Sequence, residues 1–564
     1  MENISNTIEV AVKGLFNIDV EVSLTRPEPK FGDYATNVAM QLAKQLKQNP
    51  RDIAAKLVVE LKKNKSFSAV EVAGAGFINF RLSDTNLLND LNYILTHSDS
   101  YGLSQAYANK VVVTEFSDPN AFKVLHVGHL YTSIVGDAVS NLVEFAGGQV
   151  HRVNFGGDVG LHVAKCMWGI INRLGGEKPA KLPTDLSIRD RMQWVADSYV
   201  EGNKAYENET TRPEIVEINK RIYAIYETDD KTSDFAKIYW DCRSWSYDYF
   251  DDFYERIGVK FEKYYPESTT APLGLETVLE QTKQGVYEKS DGAIVFNGEP
   301  YGLHTRVFIN SNGLPTYEAK DVGLIQLKWQ DYHFDKSLII TGNDIIDYMK
   351  VVVKSIEQFA PQPAQRTQHI THGMLKLAGA VKMASRLGNF LKAEDVLDTV
   401  EAFQKESQGK TDQDTVLGAV RYALLKNRLG PDVIFEPETS VNAQGNSGPY
   451  LQYSLARAKS ILRKLPNDHA GELLTNQDLD ESERAILTKI LEFPDVVQAA
   501  TQDLTPHLIC NYLYELAQSF NRFYEKSKVQ ADPREALRAR LVYAYSIVLE
   551  RGLTILGIPT PEKM

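Results

Sequence analysis

Cysteine is scarce in this chain, and long apolar runs are missing. The three cysteines, Cys166, Cys242 and Cys510, are odd in number and far apart, so neither a disulfide framework nor a Cys-x-x-Cys metal knuckle is expected. No apolar run reaches membrane-spanning length, and the first residues lack basic-then-apolar signal character. These absences exclude disulfide-rich and membrane-spanning classes. They predict a cytoplasmic protein with no membrane partner and no structural metal.

Positive charge is also in deficit. The chain has 62 Lys and Arg against 74 Asp and Glu, a formal net charge of −12. Taken at face value, this balance argues against a nucleic-acid partner. Binding depends on local charge, however, and two basic clusters occur, at 56–65 and at 457–464. On composition alone, each cluster is better read as a solvated helix face.

At 564 residues the chain is too long for one core and should contain two to four domains. Residues 1–100 are predicted to form a small α+β domain. Strands alternate with helices over 105–395, which predicts an α/β, doubly wound parallel sheet, interrupted by a helical insertion at about 165–265. Residues 410–564 have helical periodicity throughout, which predicts an all-α helix bundle.

The central region contains His126-Val127-Gly128-His129 between a predicted strand and a predicted helix. Residues 110–116 have the apolar pattern of a buried strand, and Ser117-Asp118-Pro119-Asn120 ends it. Apolar residues then recur at helical spacing. A helix N-terminus at this point would offer free amide N–H groups and a favourable dipole to an anion, and each imidazole could donate to a phosphate oxygen. A turn without chemistry is the alternative interpretation.

A second segment, Lys382-Met383-Ala384-Ser385-Arg386, follows the predicted strand 370–375. Two cations and a hydroxyl in a short loop suit a clamp on a polyphosphate. Taken alone, the segment is better interpreted as a solvated basic turn.

Together the two segments resemble the His-Ile-Gly-His and Lys-Met-Ser-Lys-Ser signatures of the class I aminoacyl-tRNA synthetases. Three further segments are similar to arginyl-tRNA synthetases in particular: 114–123, which resembles a Glu-Phe-Ser-Ser-Pro-Asn-x-x-Lys run; 32–37 with 72–79 in the N-terminal region; and 445–453 in the C-terminal region. The resemblance covers nearly the whole chain. It implies a split Rossmann-like catalytic domain, an N-terminal tRNA-binding domain and a helical anticodon-binding domain.

The implied reaction joins arginine and ATP into arginyl-adenylate, and then transfers the arginyl group to the 3′ end of tRNA(Arg). The implied partners are therefore arginine, ATP and tRNA(Arg), with Mg²⁺ bound through ATP, in a monomeric enzyme. The resemblance assigns the phosphate-handling catalytic roles to His126, His129, Lys123, Lys382 and Arg386.

The resemblance also assigns three sets of binding residues. ATP contacts are expected at Gly128, Gly157, Asp158, His372, Met374 and Ser385. Arginine contacts are expected at Glu115, Ser117, Asn120, Tyr317 and Asp321, since a guanidinium calls for carboxylates in matching geometry. Anticodon contacts are expected at Tyr450, Tyr453, Arg457, Asn521 and Met564.

Three alternatives compete with this interpretation. One is a nucleotidyltransferase of the same superfamily that uses no tRNA, although the Lys382 loop and the long helical C-terminal region argue against it. Another is a synthetase for a different amino acid, but the two acidic residues Glu115 and Asp321 favour arginine. The last is a non-catalytic tRNA-binding paralogue, which the presence of His126, His129 and Lys382 disfavours.

Overall fold

The computed structural model describes residues 4–378, 392–465 and 477–563. The N-terminal part is a four-stranded antiparallel sheet in the order β1-β2-β4-β3, covered by helices. Its elements are α1 (Ile4–Phe16), β1 (Leu24–Thr25), β2 (Tyr34–Thr36), α2 (Val38–Leu46), α3 (Pro50–Leu61), β3 (Phe67–Ala73), β4 (Phe77–Leu82) and α4 (Asp84–Thr96). Helix α3 begins where the Asn49 side chain accepts the Arg51 N–H, and it buries the stripe Ile53, Leu57 and Leu61, as its spacing predicts.

The centre of the molecule is a five-stranded parallel sheet in the order β12-β11-β5-β6-β7. Its strands are β5 (Val111–Glu115), β6 (Gln149–Gly156), β7 (Lys263–Pro266), β11 (Lys336–Gly342) and β12 (Thr367–His372). Because β5 has β6 on one side and β11 on the other, the strand order reverses at β5, and a crevice for ligands opens at the carboxyl ends of these strands. This is the doubly wound α/β fold that the sequence predicts.

Helices connect the strands of this sheet. They are α5 (Val127–Phe145), α6 (Leu161–Leu174), α7 (Ile188–Tyr206), α8 (Arg212–Thr228), α9 (Asp234–Ile257), α10 (Glu267–Lys283), α11 (Tyr317–Tyr332), α12 (Ile346–Glu357) and α13 (Pro361–Arg366). Helices α6 to α9 form the insertion between β6 and β7. A small antiparallel sheet, which the sequence analysis did not anticipate, comprises β8 (Glu288–Ser290), β9 (Ala293–Phe296) and β10 (Arg306–Ile309).

The predicted strand 370–375 is two strands in the structure, β12 and β13 (Leu375–Leu377). The chain turns between them because Gly373 packs on the backbone of Pro431, where a Cβ would lie 2.3 Å from the Pro431 carbonyl carbon. Strand β13 then pairs in parallel with β14 (Val433–Phe435), which lies in a region predicted to be almost wholly helical.

The C-terminal region is otherwise a helix bundle. Its helices are α14 (Ala393–Gln408), α15 (Gln413–Leu425), α16 (Pro437–Ser440), α17 (Gly448–Leu462), α18 (Glu481–Ile490), α19 (Phe493–Asp503), α20 (His507–Lys526) and α21 (Glu535–Ile555). The predicted apolar faces are confirmed: Leu451 and Leu455 of α17, and Leu513 and Phe520 of α20, are fully buried.

A buried arginine joins this bundle to the central sheet. The guanidinium of Arg421, on α15, donates to the carboxylate of Asp137 on α5. It also donates to the carbonyl oxygens of Ile257 and Leu556, each at 2.9 Å. Arg421 and Asp137 are both buried, so the ion pair is shielded from solvent. One side chain therefore fixes α5, the end of the insertion and the C-terminal end of the bundle together.

Candidate active site

A cleft of about 450 Å³ opens at the carboxyl ends of β5 and β11. Residues from both halves of the split sheet line it, which is the arrangement expected of a crevice at a strand-order reversal. The cleft brings together seven of the residues expected from sequence, namely Glu115, Ser117, Asn120, His129, Gly157, Tyr317 and Asp321.

Two imidazoles cap the N-terminus of α5. The Nδ1 atom of His126 accepts the Gly128 N–H at 3.1 Å, and the Nδ1 atom of His129 accepts the His126 N–H at 3.1 Å. The two rings stack with their centroids 3.8 Å apart. Because both Nδ1 atoms are acceptors, each neutral ring carries its proton on Nε2 and can donate from there.

Both rings are held in this neutral form. Burial, followed by the nearby Lys123 ammonium, lowers the pKa of His126. Burial, followed by His126, lowers the pKa of His129 well below its usual value. At neutral pH the pair therefore presents two Nε2–H donors and no positive charge of its own.

The expected anion site on the free amides of α5 is wrong in its detail. The N–H groups of His126 and Gly128 are taken by the imidazoles, and the His129 N–H donates to the His126 carbonyl oxygen at 2.9 Å. The turn itself also requires Gly128, because a Cβ there would lie 2.7 Å from Cε1 of His126. The imidazole Nε2 atoms replace these amides as donors.

Lys123 lies three residues before this turn. Its ammonium sits over the ring of Tyr199 in the insertion, 4.6 Å from the ring centroid, and burial lowers its pKa. The insertion therefore holds the cation that precedes the histidine turn.

Glu115, at the end of β5, does not have a free carboxylate. Its Oε2 atom accepts a hydrogen bond from the ammonium of Lys328 on α11, and both side chains are buried. Lys328 also donates to Ser337 Oγ at 3.2 Å. The negative charge of Glu115 is therefore compensated within the protein, which corrects its expected role as a free partner for a guanidinium.

Asp321 is placed differently. Its Oδ2 atom accepts a hydrogen bond from the hydroxyl of Tyr348, and burial raises its pKa to about 8. The adjacent Lys320 turns away from it and pairs with the buried Glu267, with Nζ 2.5 Å from Oε2. Asp321 thus keeps a buried carboxyl group at the cleft, and no lysine among the described residues forms an ion pair with it.

The remaining expected arginine contacts surround these two acids. Ser117 is buried with its hydroxyl 2.7 Å from the Tyr254 hydroxyl, whereas Tyr317, at the start of α11, is 54% exposed. Gly157 lies against Asn120, so closely that a Cβ would be 2.2 Å from Asn120 Oδ1. The absence of a side chain at 157 therefore leaves room for the amide of Asn120 at the cleft wall.

Asp158 lies behind the cleft. The sequence-based expectation that it contacts ATP is therefore corrected. The side chain is fully buried, and its carboxylate accepts hydrogen bonds from Tyr226, Arg243 and Ser268 at 2.7–2.9 Å. With both oxygens occupied, Asp158 anchors two insertion helices and the start of α10 to the end of β6. Asp158 therefore supports the cleft from outside.

His372 and Met374 follow the last strand of the sheet. The ring of His372 is buried, with Nε2 2.8 Å from Thr132 Oγ1 and Nδ1 2.8 Å from the Gly373 carbonyl oxygen, so both ring nitrogens have partners. Met374 is 61% exposed and lies between β12 and β13. His372 therefore ties β12 to α5, and Met374 alone of the two has a free surface.

Four expected residues, Lys382, Ser385, Arg386 and Met564, lie outside the described residues. Conversely, Lys328, Tyr348 and Asp118 line or support the cleft but were not singled out from sequence. Lys328 had a recognisable signal, because it lies seven residues after Asp321 on the same face of α11, with the apolar Leu324 and Ile325 between them.

The expected anticodon residues form one surface on α17 and α20. The Asn521 amide donates to the Tyr450 hydroxyl at 2.8 Å, and the Arg457 guanidinium lies 4.1 Å from the Tyr524 ring centroid. Tyr453 is 49% exposed beside them. This cation–aromatic surface suits the stacking of unpaired bases. By contrast, Lys459 and Arg463 of the basic cluster are paired with Glu550 and Glu562.

Across the described ranges, no helix is both long and apolar enough to cross a membrane. The same ranges contain no cluster of three or more His, Cys, Asp or Glu side chains arranged for a metal ion.

Comparison with known proteins agrees with this geometry. The family profile described as "tRNA synthetases class I (R), catalytic domain" matches residues 90–434. "Arginyl tRNA synthetase N terminal domain" matches 2–82, and "DALR anticodon binding domain" matches 451–564. The structure of Thermus thermophilus arginyl-tRNA synthetase has the same fold, with a TM-score of 0.79, 24% identity, and coverage of 100% of this chain and 99% of that one.

The split parallel sheet, with a histidine turn at its switch point, defines a class I aminoacyl-tRNA synthetase. The arginine–tRNA ligase of Treponema denticola is 30% identical, over 96% of this chain and 94% of its own. That of Bacteroides fragilis is 29% identical over 98% of both chains. The chain belongs to the arginyl-tRNA synthetase family; it is an arginine–tRNA ligase that uses ATP and charges tRNA with arginine.

Proposed function

We propose that the cleft between β5 and β11 is the site of both reaction steps, with the two histidines holding ATP and the buried acids holding arginine. The observation that carries this proposal is that His129 and Asp321 line one cleft of about 450 Å³, although they come from opposite halves of the split sheet. A substrate carboxylate held between them would lie beside the phosphates it must attack.

In the first step the arginine carboxylate attacks the α-phosphorus in line, and pyrophosphate leaves. The Nε2–H groups of His126 and His129 donate to phosphate oxygens, and Lys123 stabilises the negative charge. We assign Lys382, Ser385 and Arg386 to the charge that builds on the pyrophosphate. Such a reaction needs positioning and charge stabilisation rather than covalent help from the protein.

For arginine, we propose that Asp321 binds a cationic group while Asn120, Ser117 and Tyr317 shape the wall. The hydrogen bond from Tyr348 supports this role, since it fixes the carboxyl orientation. Glu115 keeps one oxygen, Oε1, as a hydrogen-bond acceptor, with its charge balanced by Lys328.

For ATP, we propose contacts at Gly157 and Met374, with His372 and Asp158 acting as supports for the cleft. Magnesium enters as the MgATP complex, because Mg²⁺ in such sites is held mainly by phosphates and water.

For tRNA, we propose that the surface of Tyr450, Tyr453, Arg457 and Asn521 binds the anticodon, with Met564 close by. We retain the functional units 1–100, 105–395 and 410–564 as the tRNA-binding, catalytic and anticodon-binding parts. The contact of Arg457 with the Tyr524 ring and the tilted ring pair of Tyr450 and Tyr514, both between α17 and α20, support this division.

We also propose a monomeric enzyme of the cytoplasm. The three cysteines are free and buried, which suits a reducing compartment. Sedimentation of the purified protein would measure its oligomeric state.

Arginine-dependent ATP–pyrophosphate exchange, measured with tRNA present, tests the site. Substitution of His129 should lower the rate of exchange at saturating ATP. Substitution of Asp321 should instead raise the KM of arginine. Unchanged exchange in both variants would place the reaction elsewhere.

A further inference from the structure

Five carboxyl groups line the cleft: Asp344, which is exposed, and Glu115, Asp118, Glu267 and Asp321, which are buried or half-buried. Two of them have buried ammonium partners, Lys328 for Glu115 and Lys320 for Glu267. Within the described part of the chain, neither Asp118 nor Asp321 has a lysine, arginine or histidine nitrogen within 4 Å. Apart from exposed Asp344, the cleft therefore contains two carboxyl groups, those of Asp118 and Asp321, whose charge the described part of the protein does not compensate by a direct ion pair.

Asp118 is held firmly in this position. Its Oδ1 atom accepts the Phe155 N–H of β6 at 2.9 Å, which ties the loop after β5 to the neighbouring strand. The backbone at Ser117 and Asp118 has φ of +74° and +50°, a left-handed conformation that aspartate tolerates better than most residues. The loop thus projects the Asp118 carboxyl group at the cleft rather than into solvent.

The identity of this residue is a departure from the run that the segment resembles. That run reads Glu-Phe-Ser-Ser-Pro-Asn, and this chain has aspartate in place of its second serine. The substitution adds a carboxyl group in the same cleft in which Lys328 neutralises Glu115.

We propose that Asp118 is a specificity-determining residue for arginine, and that Asp118 and Asp321 together bind the two cationic groups of this substrate. The proposal rests on the assignment of the cleft to arginine made above. Arginine carries a guanidinium and an α-ammonium group, so two uncompensated carboxylates match its two positive charges.

Electrostatics in the empty cleft agree with this arrangement. Burial, followed by the nearby Glu115, raises the pKa of Asp118 well above its usual value. Ionising a buried carboxyl group with no cation beside it costs free energy. A bound cation offsets this cost and therefore favours the ionised carboxylate. A neutral isostere such as citrulline would leave one carboxyl group without a partner, which is the basis of strong rejection by a polar site.

The test uses Asp118→Asn, which keeps an oxygen to accept the Phe155 N–H but removes the charge. We expect the KM of arginine to rise on the order of 10²-fold, with the KM of ATP and the thermal unfolding temperature little changed. Asp118→Ser, which restores the residue of the similar run, should have the same effect on arginine.

Glu115→Gln is the matched control in the same cleft. It leaves the buried Lys328 without its carboxylate, so it should lower the unfolding temperature, with a smaller effect on the KM of arginine than Asp118→Asn. Inhibition by argininic acid, which lacks the α-ammonium group, then identifies the cation that Asp118 binds. Its Ki is unchanged in Asp118→Asn if Asp118 binds the α-ammonium, and rises if Asp118 binds the guanidinium.

An unchanged KM of arginine in Asp118→Asn and Asp118→Ser would overturn the proposal. So would parallel losses in ATP binding and unfolding temperature, which indicate a structural role only. If the cleft did not bind arginine at all, Asp321→Asn would also leave the KM of arginine unchanged. That result distinguishes a failure of the proposed function from a failure of the proposal for Asp118.

Discussion

Lys320 and Glu267 form a buried ion pair, with 2.5 Å between Nζ and Oε2, at the base of the cleft. Lys320 immediately precedes Asp321 on α11, and a local pair between those two neighbours would have neutralised the acid. Lys320 is engaged with Glu267 of α10 instead, so it does not neutralise the Asp321 carboxyl group. The predictions below depend on which charged groups are compensated inside the protein.

Replacement of His129 by alanine should slow arginine-dependent ATP–pyrophosphate exchange on the order of 10²–10³-fold, because one Nε2–H donor to the phosphates is lost. The KM of arginine should change little. Exposed His304 supplies the control, since His304→Ala removes an imidazole away from the turn. Near-normal exchange in His129→Ala would remove the proposed phosphate role.

Arginine binding should release a proton near neutral pH. Burial raises the pKa of Asp321 to about 8, so the acid is largely protonated at pH 7 without substrate. A bound cation stabilises the carboxylate and lowers this pKa, so affinity for arginine should rise as the pH increases towards about 8. Calorimetry in buffers of different ionisation enthalpy measures the released proton.

Asp321→Asn provides the control for this titration and should show a smaller proton release. Without substrate, the folding stability should change with pH in the opposite direction to the affinity for arginine. Protonated Asp321 favours the folded state, and this contribution is lost as the pH rises through about 8. Equal proton release by the wild type and the variant would contradict the assignment.

Gly157→Ala should impair catalysis without unfolding the protein. The added Cβ would lie 2.2 Å from Asn120 Oδ1, and the amide can move aside only by leaving its place at the cleft wall. We expect kcat/KM for arginine to fall on the order of 10²-fold. Gly14→Ala, where a Cβ meets nothing within 4 Å, is the matched control and should leave kcat/KM unchanged.

Tyr453→Ala and Arg457→Ala should weaken tRNA binding. Loss of one stacked base costs about 1–3 kcal/mol, so the KM of tRNA should rise by about 5- to 150-fold while the KM of arginine stays constant. Tyr301→Ala removes a similarly exposed tyrosine outside the bundle and serves as the control. A change in the KM of arginine but not of tRNA would assign these side chains to another function.

The parts of the structure that depend on local pattern could be predicted. Strand β5, the histidine turn and α5 follow from a short apolar run, a break and a helical period within about 35 residues. The sequence did not predict the short strands β8 to β10 or the pairing of β13 with β14. Strands of three or four residues contain too little periodicity to recognise.

The site was only partly predictable for a different reason. Glu115 was expected to meet a guanidinium, but its partner Lys328 lies 213 positions along the chain, and no local pattern connects the two. Likewise the amides of α5 were expected to be free, because the sequence does not reveal that imidazoles would cap them. Residue types identified the chemistry, but long-range packing decided which groups remain available.

The buried guanidinium of Arg421 has a mechanical consequence. It is bonded at once to Asp137, halfway along the helix that begins at the histidine turn, and to the Leu556 carbonyl oxygen at the end of the last bundle helix. A displacement of the bundle would therefore be transmitted to the middle of that helix. A bound tRNA that displaced the C-terminal region would move α5 at a point about two to three helical turns from the imidazoles.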